Sequence, residues 1–405
     1  MTENAASSLS IHHYHYDLPE DRIAAFPMAT RTESKLLVYK QGHIETEKFT
    51  NLKQHLPANA VLVFNDTKVI TARLHFKNAV GRDIEVFCLG PADTIHPQNA
   101  LHTKATVHWV CMVGHLRRWK EPWLEINKGG WRLRVTPAGE QEGAKVLRFE
   151  WWPAERDFYE VIGHFGELPI PPYLNRKTTT QDEERYQTVY ARHEGSVAAP
   201  TAGLHFTQEM LRDLQEDGVT QMRLTLHVGA GTFKPVKATQ MKDHHMHSEW
   251  MHVRRDFLTQ VIGMQGRPVI CVGTTSLRAL ESIYWMGVKC LLNPNSSLER
   301  IEIQQWEVYD LAGHDFAADT AFRALLEWMA LRNMEHIDCR TQILIAPPYR
   351  LRVAGGLITN FHQPQSTLLL LVAALLGDDW RKVYGYALEH DYRFLSYGDS
   401  SLLLK

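Results

Sequence analysis

From about residue 75 to residue 153 the chain reads as β-structure alone, and this constrains everything around it. The segments DIEVFCLG, TVHWVCMVG, PWLEIN, WRLRVTP and KVLRFEWW follow one another with Gly, Pro and Asn between them. Short strands at such spacing are the pattern of a small barrel or sandwich. Six of the eleven tryptophans fall inside this stretch. The flanks have a different texture. Residues 60–64 are strand-like and enter the turn Asn65-Asp66-Thr67, where Asn and Asp side chains can bond nearby backbone N–H groups. TQMRLTLHVG and RPVICVG read as buried strands, and SLRALESIYWMG as a helix directly after the second. QEMLRDLQEDG is a helix with Thr207 as its N-cap and Gly218 as its stop. Strand and helix in alternation indicate an α/β domain. The expected architecture is therefore a discontinuous α/β domain, residues 1–74 and 154–405, that carries any catalysis. It is interrupted by an inserted small all-β, barrel-like domain at residues 75–153.

Residues 288–341 form a further expected subelement. Phe322, Leu325, Leu326 and Met329 fall on one face of a helix within residues 316–333. With Phe316, Trp328 and Leu331, the stretch carries too much apolar surface to stay wet. It is expected to pack on the α/β domain outside any cosubstrate pocket, with strands at 269–273 and 342–346 as sheet neighbours.

Composition excludes several classes. The 44 Lys and Arg residues against 46 Asp and Glu give a formal charge of −2, so a nucleic-acid site must be a local patch. The longest apolar run, residues 368–376, has nine residues, whereas a membrane span needs about 20. The first residues show no apolar signal-peptide core. The five cysteines are widely spaced without C-x-x-C, which argues against a disulfide framework and a cysteine-based zinc site. A cytoplasmic, monomeric, enzyme-sized protein with no membrane partner is expected.

Several segments carry chemistry. In VGTTSLR, Gly273 allows a tight turn and Thr274, Thr275 and Ser276 open a helix, whose free N–H groups suit an anion. Arg278 adds a bidentate grip. Ordinary Ser/Thr capping with a surface Arg is the plainer reading of the same string. The 22 histidines include His205, His227, His362 and the string HHMH, His244, His245 and His247, followed by Glu249. These do not have the i, i+4 spacing of a zinc-binding helix, so no metal is expected there. A proton-transfer role suits residues that titrate near neutrality, with Glu249 tuning an imidazole. Satisfied histidines in a polar loop are the alternative. Gly229 and Gly231 permit close backbone approach, beside Phe233 and Lys234, but no dinucleotide or P-loop fingerprint follows. Basic–aromatic patches occur at Arg117, Arg118, Trp119 and Lys120, and at Arg185, Tyr186, Tyr190 and Arg192. Cations suit phosphates and rings suit unstacked bases, although such patterns are usually solvated surface.

Taken together, nine strings resemble the S-adenosylmethionine:tRNA ribosyltransferase-isomerase family of queuosine biosynthesis. They are YDLPEDRIAAFP (16–27), FNDTKVITARL (64–74), GELPIPPYLNR (166–176), ERYQTVYARHEGSVAAPTAGLHFT (184–207), LTLHVGAGTFKPV (224–236), DHHMHSEW (243–250), VGTTSLRALES (272–282), LITNFHQPQSTLLLLVAAL (357–375) and RFLSYGDSSLLL (393–404). The resemblance implies an α/β domain with an inserted small β-barrel. It implies transfer of the ribosyl part of S-adenosylmethionine onto 7-aminomethyl-7-deazaguanine at the wobble position of a GUN-type tRNA anticodon. The unit becomes an epoxycyclopentane-diol, giving epoxyqueuosine, with adenine and methionine released. S-adenosylmethionine is then a cosubstrate and no cofactor is permanently bound. The sulfonium acidifies the 5′ C–H, so a general base can remove that proton, and the departing adenine needs one.

Within that implied chemistry, His205, His227, His247 and Glu249 form the proton-transfer pool. Phe206, Phe233 or Phe361 would face the sulfonium through a cation–π contact. Thr274, Thr275, Ser276 and Arg278 would hold the methionine carboxylate, and Asp66 and Asp399 the ribose hydroxyls. Arg117, Arg118, Lys120, Arg185, Tyr186 and Arg192 would meet tRNA. The sequence departs from the family at residues 113–118, at Lys68 and Thr71, and in the length of 288–341. Two other readings follow from these departures: the same cosubstrate chemistry on a different RNA or a small deazaguanine, and a non-catalytic RNA-binding module.

Overall fold

The structure, a computed structural model, describes residues 6–92, 95–141, 143–229, 231, 236, 238–264 and 266–405. Phe233 and Lys234 lie outside the described residues. Three sheets organise these residues. The first strands, β1 (Lys35–Lys40), β2 (His43–Lys48) and β3 (Val61–Asn65), join β12 (Thr220–His227), β13 (Glu249–Arg254), β14 (Val269–Val272), β15 (His336–Thr341), β16 (Gly356–Asn360) and β17 (Ser400–Leu404) in one mixed nine-stranded sheet. Its order is β15-β13-β12-β3-β14-β16-β17-β1-β2, with β12, β3, β14 and β16 parallel. A second, six-stranded antiparallel sheet contains β5 (Arg73–Lys77), β6 (Asp83–Pro91), β7 (Thr106–Gly114), β8 (Leu124–Lys128), β9 (Trp131–Gln141) and β10 (Ala144–Trp152). Its order is β5-β6-β7-β10-β9-β8, and the edge strands β5 and β8 approach each other, so the sheet is barrel-like. The third is a parallel pair, β4 (Thr67–Val69) with β11 (His193–Ser196).

The two larger sheets bury side chains differently. In the barrel-like sheet every second residue points inward: Val107, Trp109 and Cys111 on β7, Leu133 and Val135 on β9, and Leu147, Phe149 and Trp151 on β10. The helix Phe158–Phe165, opened by the Asp157/Glu160 capping box, adds Phe158, Val161 and Ile162 to the same cluster. In the large sheet the parallel strands are buried throughout, VLVFN and VICV without an exposed position. Val61 and Val63 enter one core while Leu62 and Phe64 enter the core on the opposite face. Both faces of this sheet are covered, so its parallel strands do not alternate. One cover is the helix Thr274–Leu292; the other includes Gln208–Glu216, with Thr207 accepting from the Met210 N–H and Gly218 at φ +82°.

Residues 288–341 continue the helix to Leu292 and then fold into short turns and the helix Ala318–Ala330. Ala321, Phe322, Leu325, Trp328 and Met329 are buried, with Leu326 only partly so. The crossing with Thr274–Leu292 is close: a Cβ on Gly287 would lie 2.0 Å from the Ala321 carbonyl oxygen. The expected pairing of strands at 269–273 and 342–346 does not occur. β14 lies between β3 and β16, with three strands separating it from β15. Residues 342–346 form no strand because their backbone groups are bonded elsewhere. Ile343 O accepts from Arg278 Nε, and Leu344 O and Ala346 O accept from Tyr309 Oη. The apolar run near residue 370 is the ten-residue helix Thr367–Leu376. Among the described residues no helix is long and apolar enough to cross a membrane, and all five cysteines are free and buried.

Candidate active site

The polar groups of the chain collect where the parallel strands end. β14 stops at Val272, Gly273 turns at φ +93°, and the helix Thr274–Leu292 starts without a side-chain cap. Ligands in open α/β sheets bind beyond the carboxyl ends of strands, where helix N-termini offer free N–H groups. Two adjoining cavities lie there and share Gly231, Thr367 and Leu368 in their walls. The larger, about 300 Å3, is lined by Arg278, Glu249, the histidine string 244–247 and Ile343, Leu344 and Ile345. The smaller is lined by Gly273, Thr274, Thr275, Asn360, Phe361, His362 and residues 198–202.

Arg278 and Glu249 form one buried unit. Arg278 Nη1 donates to Glu249 Oε2, Nε donates to Ile343 O at 3.2 Å, and the Gly229 N–H donates to Glu249 Oε1 at 3.3 Å. Arg278 Nη2 is buried without a hydrogen-bond partner, as are Thr275 Oγ1 and Asn360 Oδ1 in the smaller cavity. Buried polar atoms are normally satisfied, so orphans converging on a cavity mark a place for a polar ligand. Ser276 is committed instead: its Oγ donates to Val272 O at 2.7 Å. The sequence reading had Glu249 tuning an imidazole; the structure gives it a guanidinium.

The candidate residues separate on this geometry. His247 is exposed and lines the larger cavity, against Gly231, where a Cβ would lie 2.1 Å from the imidazole. His205 is buried and lines neither cavity. Its Nδ1 meets Ser34 Oγ at 2.8 Å and its Nε2 meets Asn360 Nδ2 at 3.2 Å, so it holds Asn360 from behind. Burial, with the Arg393 charge, pushes its pKa down to about 3, so it is neutral at physiological pH. His227 is also buried and pushed well below its ordinary range, first by burial and then by His96, His193 and His252. Its Nδ1 meets Thr67 Oγ1 at 2.8 Å. His362 lines the smaller cavity, bonds Thr359 Oγ1 at 2.9 Å and is pushed down to about 3 by burial.

The two carboxylates expected to hold ribose are used by the fold. Asp66 Oδ1 accepts from Thr225 Oγ1 at 2.7 Å, and Asp66 lines only a small separate cleft. Asp399 accepts from the backbone N–H groups of Lys35 and Arg393 at 3.0 and 2.8 Å. Phe361 lines the smaller cavity with its ring 5.0 Å from that of Phe394, whereas Phe206 packs on Phe49 and Phe64 away from both cavities.

Arg117, Arg118 and Lys120 are exposed at a turn of the barrel-like sheet, and Arg192 is exposed near β11. Tyr186 is fully buried against Tyr397 and offers no face for stacking; Arg185 is half-buried and donates to Ala29 O at 3.0 Å. A cation–aromatic surface went unread in the sequence. Arg132 lies 3.8 Å over the Trp152 ring and Arg134 lies 4.9 Å over that of Trp123, with both tryptophans partly exposed. Strand alternation places Trp152 outward beside inward Trp151, which the doublet alone does not reveal.

The family model and the curated relatives that match this chain agree with one another. A family model described as queuosine biosynthesis protein matches residues 11–403. A Halothermothrix orenii protein named S-adenosylmethionine:tRNA ribosyltransferase-isomerase is 37% identical over 402 residues, covering 98% of this chain and 100% of that one. Its namesake from Aromatoleum aromaticum is 37% identical over 405 residues, 98% of each chain. A solved structure, S-adenosylmethionine tRNA ribosyltransferase from Thermotoga maritima, is 24% identical with a TM-score of 0.45, covering 96% of this chain and 99% of that one. Matched from residue 11 to residue 403, and over 98% of its length by curated relatives, the chain belongs to the queuosine biosynthesis protein family.

Proposed function

We propose that this protein is an S-adenosylmethionine:tRNA ribosyltransferase-isomerase. It transfers and isomerises the ribosyl unit of S-adenosylmethionine onto 7-aminomethyl-7-deazaguanine at the wobble position of a GUN-type tRNA, giving epoxyqueuosine, adenine and methionine. The observation that carries the reading is the end-to-end match to relatives of that name. The cavity pair beyond β14 and β16 supports it, because it combines an unpaired guanidinium nitrogen with a helix N-terminus.

In this reading S-adenosylmethionine spans both lobes. Arg278 Nη2 and the 273–275 helix start take the carboxylate, a charge-assisted contact in a site largely shielded from water. Glu249 holds the guanidinium in place and keeps the buried charge compensated. His247, at the mouth of the larger lobe, is the group placed to exchange a proton with the 5′ carbon or with adenine, while His205 acts indirectly by orienting Asn360. The chain is organised as an α/β catalytic unit, 1–74 and 154–405, with the barrel-like unit 75–153 inserted. The tRNA meets the barrel surface at Arg117, Arg118, Lys120, Arg132, Arg134, Trp123 and Trp152, where cations take phosphates and rings take bases.

Incubation with S-adenosylmethionine and precursor-bearing tRNA tests the reaction. Adenine and methionine should appear together and the tRNA should gain the epoxycyclopentane-diol. S-adenosylhomocysteine with a methylated product would overturn it; adenine release only when a small deazaguanine or another RNA replaces the tRNA would point to that acceptor, and no release with any of them to a non-catalytic RNA-binding module.

A further inference from the structure

Four residues from three separate segments of the chain meet beside the edge of the large sheet. His252 on β13 is directly opposite Asp338 on β15 in the antiparallel register. His336 lies two residues before Asp338, so strand geometry puts all three side chains on one face. Their donor atoms lie within 4.8 Å of one another. His252 Nδ1 is 2.7 Å from Asp338 Oδ1, His336 Nε2 is 3.9 Å from Asp338 Oδ2, and the two imidazole centroids are 4.7 Å apart. The fourth residue comes from the connection between β6 and β7. His96 is only 5% exposed, its Nε2 has no hydrogen-bond partner, and that nitrogen lies 3.6 Å from Asp338 Oδ1. Its ring packs 5.3 Å from that of His227 and 6.3 Å from that of His252.

His96 Nδ1 accepts from the Gln98 N–H at 3.4 Å, while its buried Nε2 faces the Asp338 carboxylate without a hydrogen-bond partner, which is costly in a protein interior. We propose that His96, His252, His336 and Asp338 form a binding site for a borderline divalent transition ion of the zinc class. Three imidazoles and one carboxylate match the donors zinc takes. Bonds of about 2.0–2.2 Å at a tetrahedral centre place donor atoms roughly 3.3 Å apart. The 3.6 and 3.9 Å separations need small adjustments, and the His252–Asp338 hydrogen bond is replaced by two bonds to the ion; His96, outside the 4.8 Å set of the other three donors, needs a larger side-chain movement to join them. Solvent access is through His336, whose side chain is 55% exposed. The site is separate from the two cavities: Glu249 and His252 are three residues apart on β13 and point to opposite faces. Its role is a clip that ties the barrel-like sheet, through His96, to the edge of the large sheet.

The test uses the full-length protein, stripped with chelator and titrated with zinc chloride by calorimetry and with Co2+ by visible absorption. One equivalent of Zn2+ should bind and raise the melting temperature, and Co2+ should give the intense visible bands of a tetrahedral site. Asp338→Asn and His336→Gln should each weaken Zn2+ by roughly tenfold or more and remove the melting shift. The substituted His336 side chain is largely solvent-facing, so folding should survive, with circular dichroism as the check. His244→Ala/His245→Ala, in the histidine-dense loop, should bind Zn2+ as the parent does. Absence of stoichiometric Zn2+, parental affinity in both β15 variants, or loss only in the 244/245 variant would each overturn the proposal.

Discussion

The barrel-like sheet and the nine-stranded sheet handle polarity in opposite ways. Among the described residues of 75–153, His96 is the one buried polar or charged side chain; the inward positions are otherwise apolar and the charges face solvent. The large sheet buries Asp66, Glu249, Arg278, Glu281, Asp399, His205, His227 and His362 in or against itself. Some of these are structural. Glu281 is pushed above the usual carboxylate range by burial, yet accepts from Tyr349 Oη and from the N–H groups of Arg352, Val353 and Ala354, pinning that loop. Others are left with open valences, and these line the cavities. The barrel thus offers a surface, whereas the large sheet offers an interior whose unsatisfied groups define a site.

Arg278→Ala should break the contrast most severely. It leaves Glu249 as an uncompensated buried charge, which costs about 3–5 kcal/mol, and removes the proposed carboxylate contact. Urea unfolding and S-adenosylmethionine calorimetry would read both effects. The double variant Arg278→Met/Glu249→Leu should recover most of the stability but none of the binding, which separates fold from site.

Acid should weaken the large sheet next. Burial lowers the pKa values of His205 and His362 from 6.5 to about 3. Below about pH 6.5 the unfolded chain takes up protons that the folded chain refuses, so stability falls as pH drops toward 3 and is fully present above that range. Each histidine contributes up to about 1.4 kcal/mol per pH unit. Urea midpoints between pH 7.5 and pH 5 should show this slope, and His205→Gln should reduce it.

Paired glycine substitutions sharpen the comparison at smaller scale. Gly287→Ala drives a methyl into the Ala321 backbone and should cost about 1–3 kcal/mol. Gly163→Ala, in the helix capping the barrel and with nothing within 4 Å, should gain roughly 0.5–1 kcal/mol. Thermal melts of the two variants should move in opposite directions.

The smallest effect on stability, and a purely functional one, is expected from Arg117→Ala/Arg118→Ala/Lys120→Ala. Melting should be unchanged, while tRNA affinity falls and its log–log salt slope flattens by about 0.7–0.9 per lost phosphate contact. A parental slope would place the tRNA elsewhere, with the Arg132–Trp152 surface the next face to test.

Local pattern made the strands of residues 83–152, the Thr207-capped helix and the helix after β14 legible, because period and capping are short-range properties. The same reading placed residues 342–346 in a strand, since an apolar run does not reveal that Tyr309 and Arg278 will satisfy its carbonyls. It also grouped four proton-transfer candidates by proximity to conspicuous motifs. Only His247 and Glu249 line one of the two adjoining cavities; His205 and His227 are buried outside them.

The sequence by itself did not reveal the short helix Pro97–Leu101 inside the barrel-like unit, but it determined the family, the existence of a mostly β stretch within an α/β chain, and the identity of Arg278 and the 273–276 turn as an anion-binding candidate. These follow from contiguous residues, where order along the chain is order in space. Only the tertiary structure decided that Glu249 answers Arg278, that Asp66 and Asp399 accept hydrogen bonds from within the fold, and that His252, His336 and Asp338 converge with His96 beside them. Such pairings join residues tens to hundreds of positions apart through strand register and sheet order, and a linear pattern carries no record of which distant polar group will face which once water is excluded.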